Sequence, residues 1–230
     1  NAIVLKAISG FDQSDTFSVK KNNIDLQSII NSSLIGKRFG VFNNFLEDSL
    51  YSNAIKKIEK LGGIIIKFDP PQVDFSGFRK ILDYDMKNDL PKYFKENNIS
   101  FNSVKDVIEF NMKDSVKRAP YGQGIFKSIN IDSTQFDEIS KIKSRIKKEG
   151  GKYFNTAIKT HQLDAIISIN NYHAGYAAGA YYPCLTIPMG YNKDGKPFNL
   201  TFISRSFTEN KLLQIGYAFE KETNYRIVPF

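Results

Sequence analysis

A chain of 230 residues with 41% hydrophobic and 24% charged residues is long enough to bury a full core, as one large domain or two small ones. No run approaches the roughly 20 apolar residues of a membrane span, so no membrane partner is expected. The net charge of +8 invites nucleic-acid binding. However, lysine dominates the basic residues and lies scattered along helical stretches rather than in a stripe with interleaved aromatics, so no nucleic-acid partner is expected either.

One cysteine, Cys184, excludes an internal disulfide and a Cys-rich metal site. Two histidines, His161 and His173, cannot build a three-histidine zinc centre, and no carboxylate-rich loop for a hard cation is apparent. Neither a metal nor another cofactor is expected. The chain begins at Asn1, and its opening run NAIVLKAISG carries Lys6 among the apolar residues, unlike a secretory signal. It reads as an amphipathic helix whose upstream sequence is missing, in a protein expected to be cytoplasmic.

In chain order, residues 2–9 read as the end of a helix closed by Gly10. Residues 11–33 are polar and turn-rich and read as a long surface connection. Residues 38–42 form a short strand, and 46–61 a helix with Leu50, Ala54, Ile55, Ile58 and Leu61 on one face. Gly62 and Gly63 stop it, and an isoleucine-rich strand follows over 63–68. That order is a βαβ unit, which predicts two parallel, adjacent strands with a right-handed crossover.

Pro70 and Pro71 break the chain. Residues 75–94 and 103–117 then read as helices, the second with Ser103 as N-cap and Asp106 three positions on. Turn formers fill 119–123. A helix is expected over 132–150, continuing past a break at Gly150-Gly151 to His161. The reading is one α/β domain with a helical insertion at about 74–150.

The most legible stretch is 162–219. Residues 162–169 read as a buried strand, 170–182 as a loop of small residues and 184–189 as a second strand. Asp194-Gly195 makes a turn and 198–204 returns as a third strand. Thr208 is then expected to cap a helix whose Leu212, Leu213, Ile215 and Phe219 share a face.

Few constellations suggest chemistry. Ser140-x-x-Lys143 has the serine–lysine spacing of some acyl transferases but sits in a charged helix and reads as a solvated face. There is no G-x-S-x-G elbow and no P-loop, and Gly122-Gln-Gly124 lacks the third glycine and the preceding strand of a dinucleotide fingerprint. Cys184 with His173 has the composition of a thiolate–imidazole pair, but a thiol opening an apolar strand after Pro183 reads as small core packing. Asn170 and Asn171, followed by Tyr172 and His173, leave the end of a buried strand, where α/β sheets bind ligands. Their carboxamides suit hydrogen bonding to an amide or carboxylate, with an ordinary polar turn as the alternative.

An ordered series of short motifs resembles the C-terminal half of an amidase signature enzyme, collinear over nearly the whole chain. The series begins with AIVLKAISGFD from Ala2 and LIGKRFGV from Leu34. It continues with VIEFN from Val107 and PYGQ from Pro120, then LDAI from Leu163 and YPCLTIPMG from Tyr182. GKP from Gly195, LTFI from Leu200, KLL from Lys211 and YAFE from Tyr217 close it. The resemblance implies an α/β fold that is the C-terminal part of the amidase signature fold, with a mixed central sheet flanked by helices.

It also implies metal-free hydrolysis of a carboxamide C–N bond by a serine nucleophile, a cis-serine relay and a lysine, with the oxyanion held by backbone N–H groups. No stretch here matches that Gly/Ser-rich region, so no catalytic residue is assigned and this chain alone is expected to be inactive. Tyr121, Gly122 and Gln123, with Asn170, Asn171 and Tyr172, are the substrate-binding positions the resemblance carries over. The partners it implies are a small-molecule amide, the missing N-terminal half, and further copies of the chain through self-association. The alternative is a non-catalytic α/β binding or interaction module with the same fold. The chain departs from the family in Ile169, where proline is frequent, and in Tyr181, where many members have glycine before the Tyr-Pro pair.

Overall fold

Two short helices precede the sheet. α1 (Ala2–Ile8) buries none of its residues, whereas α2 (Leu26–Ile30) buries Ile29 and is capped by Asp25, whose carboxylate accepts from the Gln27 N–H. The segment expected to be a bare connection therefore contains a helix. Long-range bonds hold it: Ser32 Oγ donates to the Gln214 carbonyl, and the Asp25 N–H donates to Asn210 Oδ1. The computed structural model describes residues 1–20 and 24–228, so part of that connection, 21–23, lies outside the described residues.

β1 (Arg38–Phe42), α3 (Ser49–Lys60) and β2 (Ile64–Phe68) follow, with β1 and β2 parallel and adjacent. Asp48 caps α3 by accepting from the Tyr51 N–H at 2.9 Å, and Tyr51, Ala54, Ile55 and Ile58 form its buried face. The Tyr51 hydroxyl donates a buried 2.8 Å bond to the Ile167 carbonyl.

The chain divides into two compact units, Asn1–Val73 with Lys147–Phe230, and Asp74–Ile146. The second unit is helical. α4 (Phe78–Glu96) starts after Gly77, whose φ of 79° is the left-handed conformation glycine adopts without strain. α5 (Val104–Met112) is capped by Ser103, which accepts from the Asp106 N–H, while Asp106 accepts from the Asn102 N–H. The helix expected to reach Lys117 stops sooner, because Asp114 starts a separate turn of helix, α6 (Ser115–Arg118). α7 (Gly124–Ile131) lies in a stretch without a sequence assignment and buries Ile129. Ile139, Ile142 and Ile146 pack with Phe75, Phe78, Ile81 and Tyr84.

The 25-residue α8 (Phe136–Thr160) runs without interruption through Gly150 and Gly151, which corrects the expected break. β3 (Ala165–Ile169) is wholly buried. The small-residue stretch after it, expected to be a loop, holds a helix, α9 (Ala174–Ala180). Gly150 explains this, because a Cβ there would stand 2.8 Å from the Tyr176 carbonyl oxygen and 3.0 Å from the Ala180 nitrogen. Small residues on both elements allow backbone-to-backbone approach, and that packing makes α9 a helix without an apolar stripe of its own.

β4 (Cys184–Tyr191), β5 (Pro197–Ile203) and α10 (Glu209–Thr223) complete the first unit. Thr208 sits at the N-cap of α10 but does not cap it; its hydroxyl donates to the Arg205 carbonyl instead. The sheet is mixed, in the order β2-β1-β3-β5-β4, with β1 parallel to β2 and β3 and with β5 antiparallel to β3 and β4.

Strand alternation divides the core into two layers. Phe39, Val41, Ile167, Leu200 and Phe202 pack with α3 and with Leu212, Ile215 and Phe219 of α10. Phe42, Ile166 and Ile203 pack with Phe154, Ala157 and Ile158 of α8 and with Ala177 and Ala180 of α9. Cys184 belongs to neither layer. It opens an edge strand and is exposed, contrary to the core-packing expectation.

Candidate functional site: a polar cleft at the end of β3

β3 delivers the chain to Asn170, whose φ of 46° is left-handed, a conformation asparagine tolerates better than most residues. Two bonds to β5 hold it there. The Asn170 N–H donates to the Asn199 carbonyl, and Asn170 Oδ1 accepts from the Asn199 N–H, each at 2.9 Å. The Thr201 hydroxyl donates to the Asn170 carbonyl and lies 2.9 Å from the Thr186 hydroxyl. Ser168, Thr201 and Thr186 are in register across β3, β5 and β4, so a polar row crosses the sheet beneath this turn.

Over that row opens a cleft of about 450 Å³, lined by Asn170, Asn171, Ala174, Cys184, Thr186, Asn199 and Thr201. Asn171 is exposed; its carbonyl accepts from the Ala174 N–H, and its carboxamide bonds to none of the described residues. Tyr172 is also exposed and lies against Phe45, 5.6 Å between ring centroids. The polar groups lining the cleft are carboxamides, hydroxyls and one thiol, all uncharged at neutral pH. The arrangement offers amide and hydroxyl donors and acceptors to a neutral polar ligand.

His173, the next residue, turns inward. Its Nδ1 lies 2.7 Å from Ser168 Oγ, and burial lowers its pKa to about 4. It is committed to Ser168 within an aromatic pocket and is not a base for Cys184. Sequence reasoning missed this role, because the ring packs on Phe42, a residue far away in the chain.

The other three positions singled out in the sequence lie in the helical unit. Tyr121 is fully exposed, and Gly122 has a φ of 78°. Gln123 is buried and satisfied locally: Asn111 Nδ2 donates to its Oε1 at 3.2 Å, and its Nε2 donates to the Ile108 carbonyl at 3.3 Å. Its carboxamide ties α5 to the start of α7. Lys143, from the serine–lysine spacing, pairs with Asp85 at 2.8 Å on an exposed helix face.

No family model matches the chain. In sequence it is similar to a protein named "Probable amidase" from Arabidopsis thaliana, 27% identical over 98% of this chain and 47% of that protein. It is also similar to a glutamyl-tRNA(Gln) amidotransferase polypeptide of Caldanaerobacter subterraneus, 26% identical over 99% of this chain and 53% of the relative. The chain thus spans about half the length of the curated relatives it matches.

Among solved structures, an amidase family protein from Bacillus anthracis superposes with a TM-score of 0.90 at 26% identity, over 100% of this chain and 47% of the other. The native peptide amidase of Stenotrophomonas maltophilia gives 0.87 at 27% identity, over 100% and 52%. A bacterial aryl acylamidase described as an amidase signature enzyme gives 0.72 at 14% identity, a likeness of fold alone. The chain carries the amidase signature fold, and its relatives and structural neighbours are members of the amidase signature family.

Proposed function

We propose that this chain is the C-terminal part of an amidase that hydrolyses a carboxamide C–N bond. The observation that carries the reading is the fit to the peptide amidase fold along the entire chain, at a TM-score of 0.87 and 27% identity. The uncharged cleft at the end of β3 suits an uncharged amide.

The reaction follows from the family resemblance. A serine oxygen adds to the amide carbon, and its proton passes through a second serine to a lysine. The tetrahedral intermediate expels the amine, which takes up the proton, and water then hydrolyses the acyl-serine. These groups belong to the remainder of the protein. In this reading Asn170, Asn171 and Tyr172 contribute the part of the substrate pocket made here, and Asn171 is the side chain with unspent donors and acceptors. In the helical unit Tyr121 presents its side chain to solvent, whereas Gly122 shapes the turn and Gln123 supports it.

The open edge of β4 and the exposed Ile3, Val4 and Ile8 of α1 fit the docking of the remaining half, so the isolated chain is expected to self-associate. Light scattering on the purified chain tests this, and a sharply monomeric species contradicts it. The activity itself is tested by ammonia or amine release from a panel of carboxamides with the complete protein. Loss of turnover on treatment with a serine-directed reagent supports the reading. Binding of benzamide without any turnover favours the non-catalytic module instead.

A further inference from the structure

Of the four residues between β3 and α9, two are anchored and two face outward. Asn170 is tied to Asn199 of β5 at one end. At the other end His173, only 7% exposed, sends its ring into the protein. There its Nδ1 meets the hydroxyl of Ser168, a β3 residue with no exposed surface, at 2.7 Å. The ring stacks on Phe42 of β1, with centroids 4.1 Å apart and planes 18° from parallel. Phe45, Tyr153 and Tyr176 surround it at 5.4, 5.6 and 6.1 Å. Asn171 and Tyr172, between the anchors, are exposed.

The chemistry of this position is specific. A leucine would fill the space and leave the Ser168 hydroxyl unpaired in the core, and a serine or asparagine would pair the hydroxyl and lose the stack. Imidazole does both. His173 is also the N-cap residue of α9, and its backbone carbonyl accepts from the Ala177 N–H.

We propose that His173 is a positioning residue for the amide-reading loop: its bond to Ser168 and its stack on Phe42 fix the backbone from which Asn171 lines the cleft. The identity of the ligand rests on the reading under Proposed function, whereas the mechanical role does not. Two backbone bonds report on it directly, Tyr172 N–H to the Ile169 carbonyl at 3.1 Å and Ala174 N–H to the Asn171 carbonyl at 3.0 Å.

The test compares His173→Phe, which keeps a ring and deletes the nitrogen, and Ser168→Ala, which deletes the partner, with Phe219→Leu, a truncation in the core layer opposite the one that holds Phe42 and Tyr153. Amide hydrogen exchange in the 230-residue chain is expected to accelerate about tenfold over 170–174 in the first two variants, and in Phe219→Leu to change there no more than elsewhere. Equal exchange over 170–174 in all three variants overturns the proposal. With a carboxamide substrate and the complete protein, the first two variants raise KM roughly tenfold at unchanged kcat, the pattern of lost uniform binding. Faster loop exchange with an unchanged KM overturns the substrate-positioning role. If the complete protein turns over no carboxamide, the proposed function fails and the exchange comparison still decides whether His173 holds the loop.

Discussion

Gly150 in α8 and Tyr176 in α9 meet backbone to backbone, so closely that a Cβ on Gly150 would stand 2.8 Å from the Tyr176 carbonyl oxygen. Its neighbour Gly151 is not confined in this way, and a Cβ there would meet only Asn155 Nδ2, at an ordinary 3.7 Å. Helix propensity favours alanine over glycine at both positions by ~1 kcal/mol. At Gly150 the overpacking cost of ~1–3 kcal/mol works against that gain. Gly150→Ala is therefore expected to lower stability and Gly151→Ala to raise it, by ~0.5–1 kcal/mol. Urea denaturation of the two variants checks this, and the same sign of change in both would remove α8–α9 contact as the reason for Gly150.

Tyr181 ends α9 with a φ of 59° and a ψ of 39°, in the left-handed region. A bulky residue there bears ~1–2 kcal/mol of strain that glycine does not. The departure from the family's frequent glycine thus falls where the backbone favours glycine. The tyrosine ring is largely exposed, and its contact is the Lys147 ammonium 4.9 Å away, a weak surface interaction. Tyr181→Gly is expected to raise stability by ~1 kcal/mol and to shift the thermal midpoint upward by a few degrees. A lower midpoint would mean that the ring contributes more than its exposure suggests.

Burial holds the pKa of His173 near 4, against an ordinary 6.5. The groups facing it are Ser168, Phe42, Phe45, Tyr153 and Tyr176, none of them charged. Because the folded protein disfavours the protonated ring, the unfolded chain binds the proton first as the pH falls. The stability that depends on neutral His173 is complete above about pH 6.5. It diminishes toward pH 4, by up to ~3 kcal/mol. His173→Gln is expected to flatten the pH dependence of stability between about pH 7 and pH 4.5, read by urea titrations at each pH. An unchanged slope would show that the ring is not neutral by burial.

Much of the fold was legible because its signals are local. The helix from Ser49 to Lys60 follows from the spacing of Ala54, Ile55 and Ile58 and from its glycine stop, and the two strands around it follow as a parallel pair. α9 was illegible because AGYAAGA has no apolar period, and its reason for being helical lies on Gly150 of another element. Cys184 was misread because it begins an apolar run next to Pro183. Strand alternation puts Cys184 and Thr186 together, on a strand that is an edge, and the edge is a fact of topology rather than of sequence. Asn170 and Asn171 were legible as polar residues at a strand end. Their division of labour, one bonded to Asn199 and the other facing the cleft, depends on the β3–β5 register.

The proposed function places the serine nucleophile and its proton relay outside this chain. The direct measurement is turnover of a panel of carboxamides and esters by the purified 230-residue chain, with and without a serine-directed reagent. No turnover above background is expected in either case, since in the proposed reading the serine nucleophile lies outside this chain and the covalent route goes with it. Turnover by the isolated chain that the reagent abolishes would contradict the claim and would place a working nucleophile within these 230 residues.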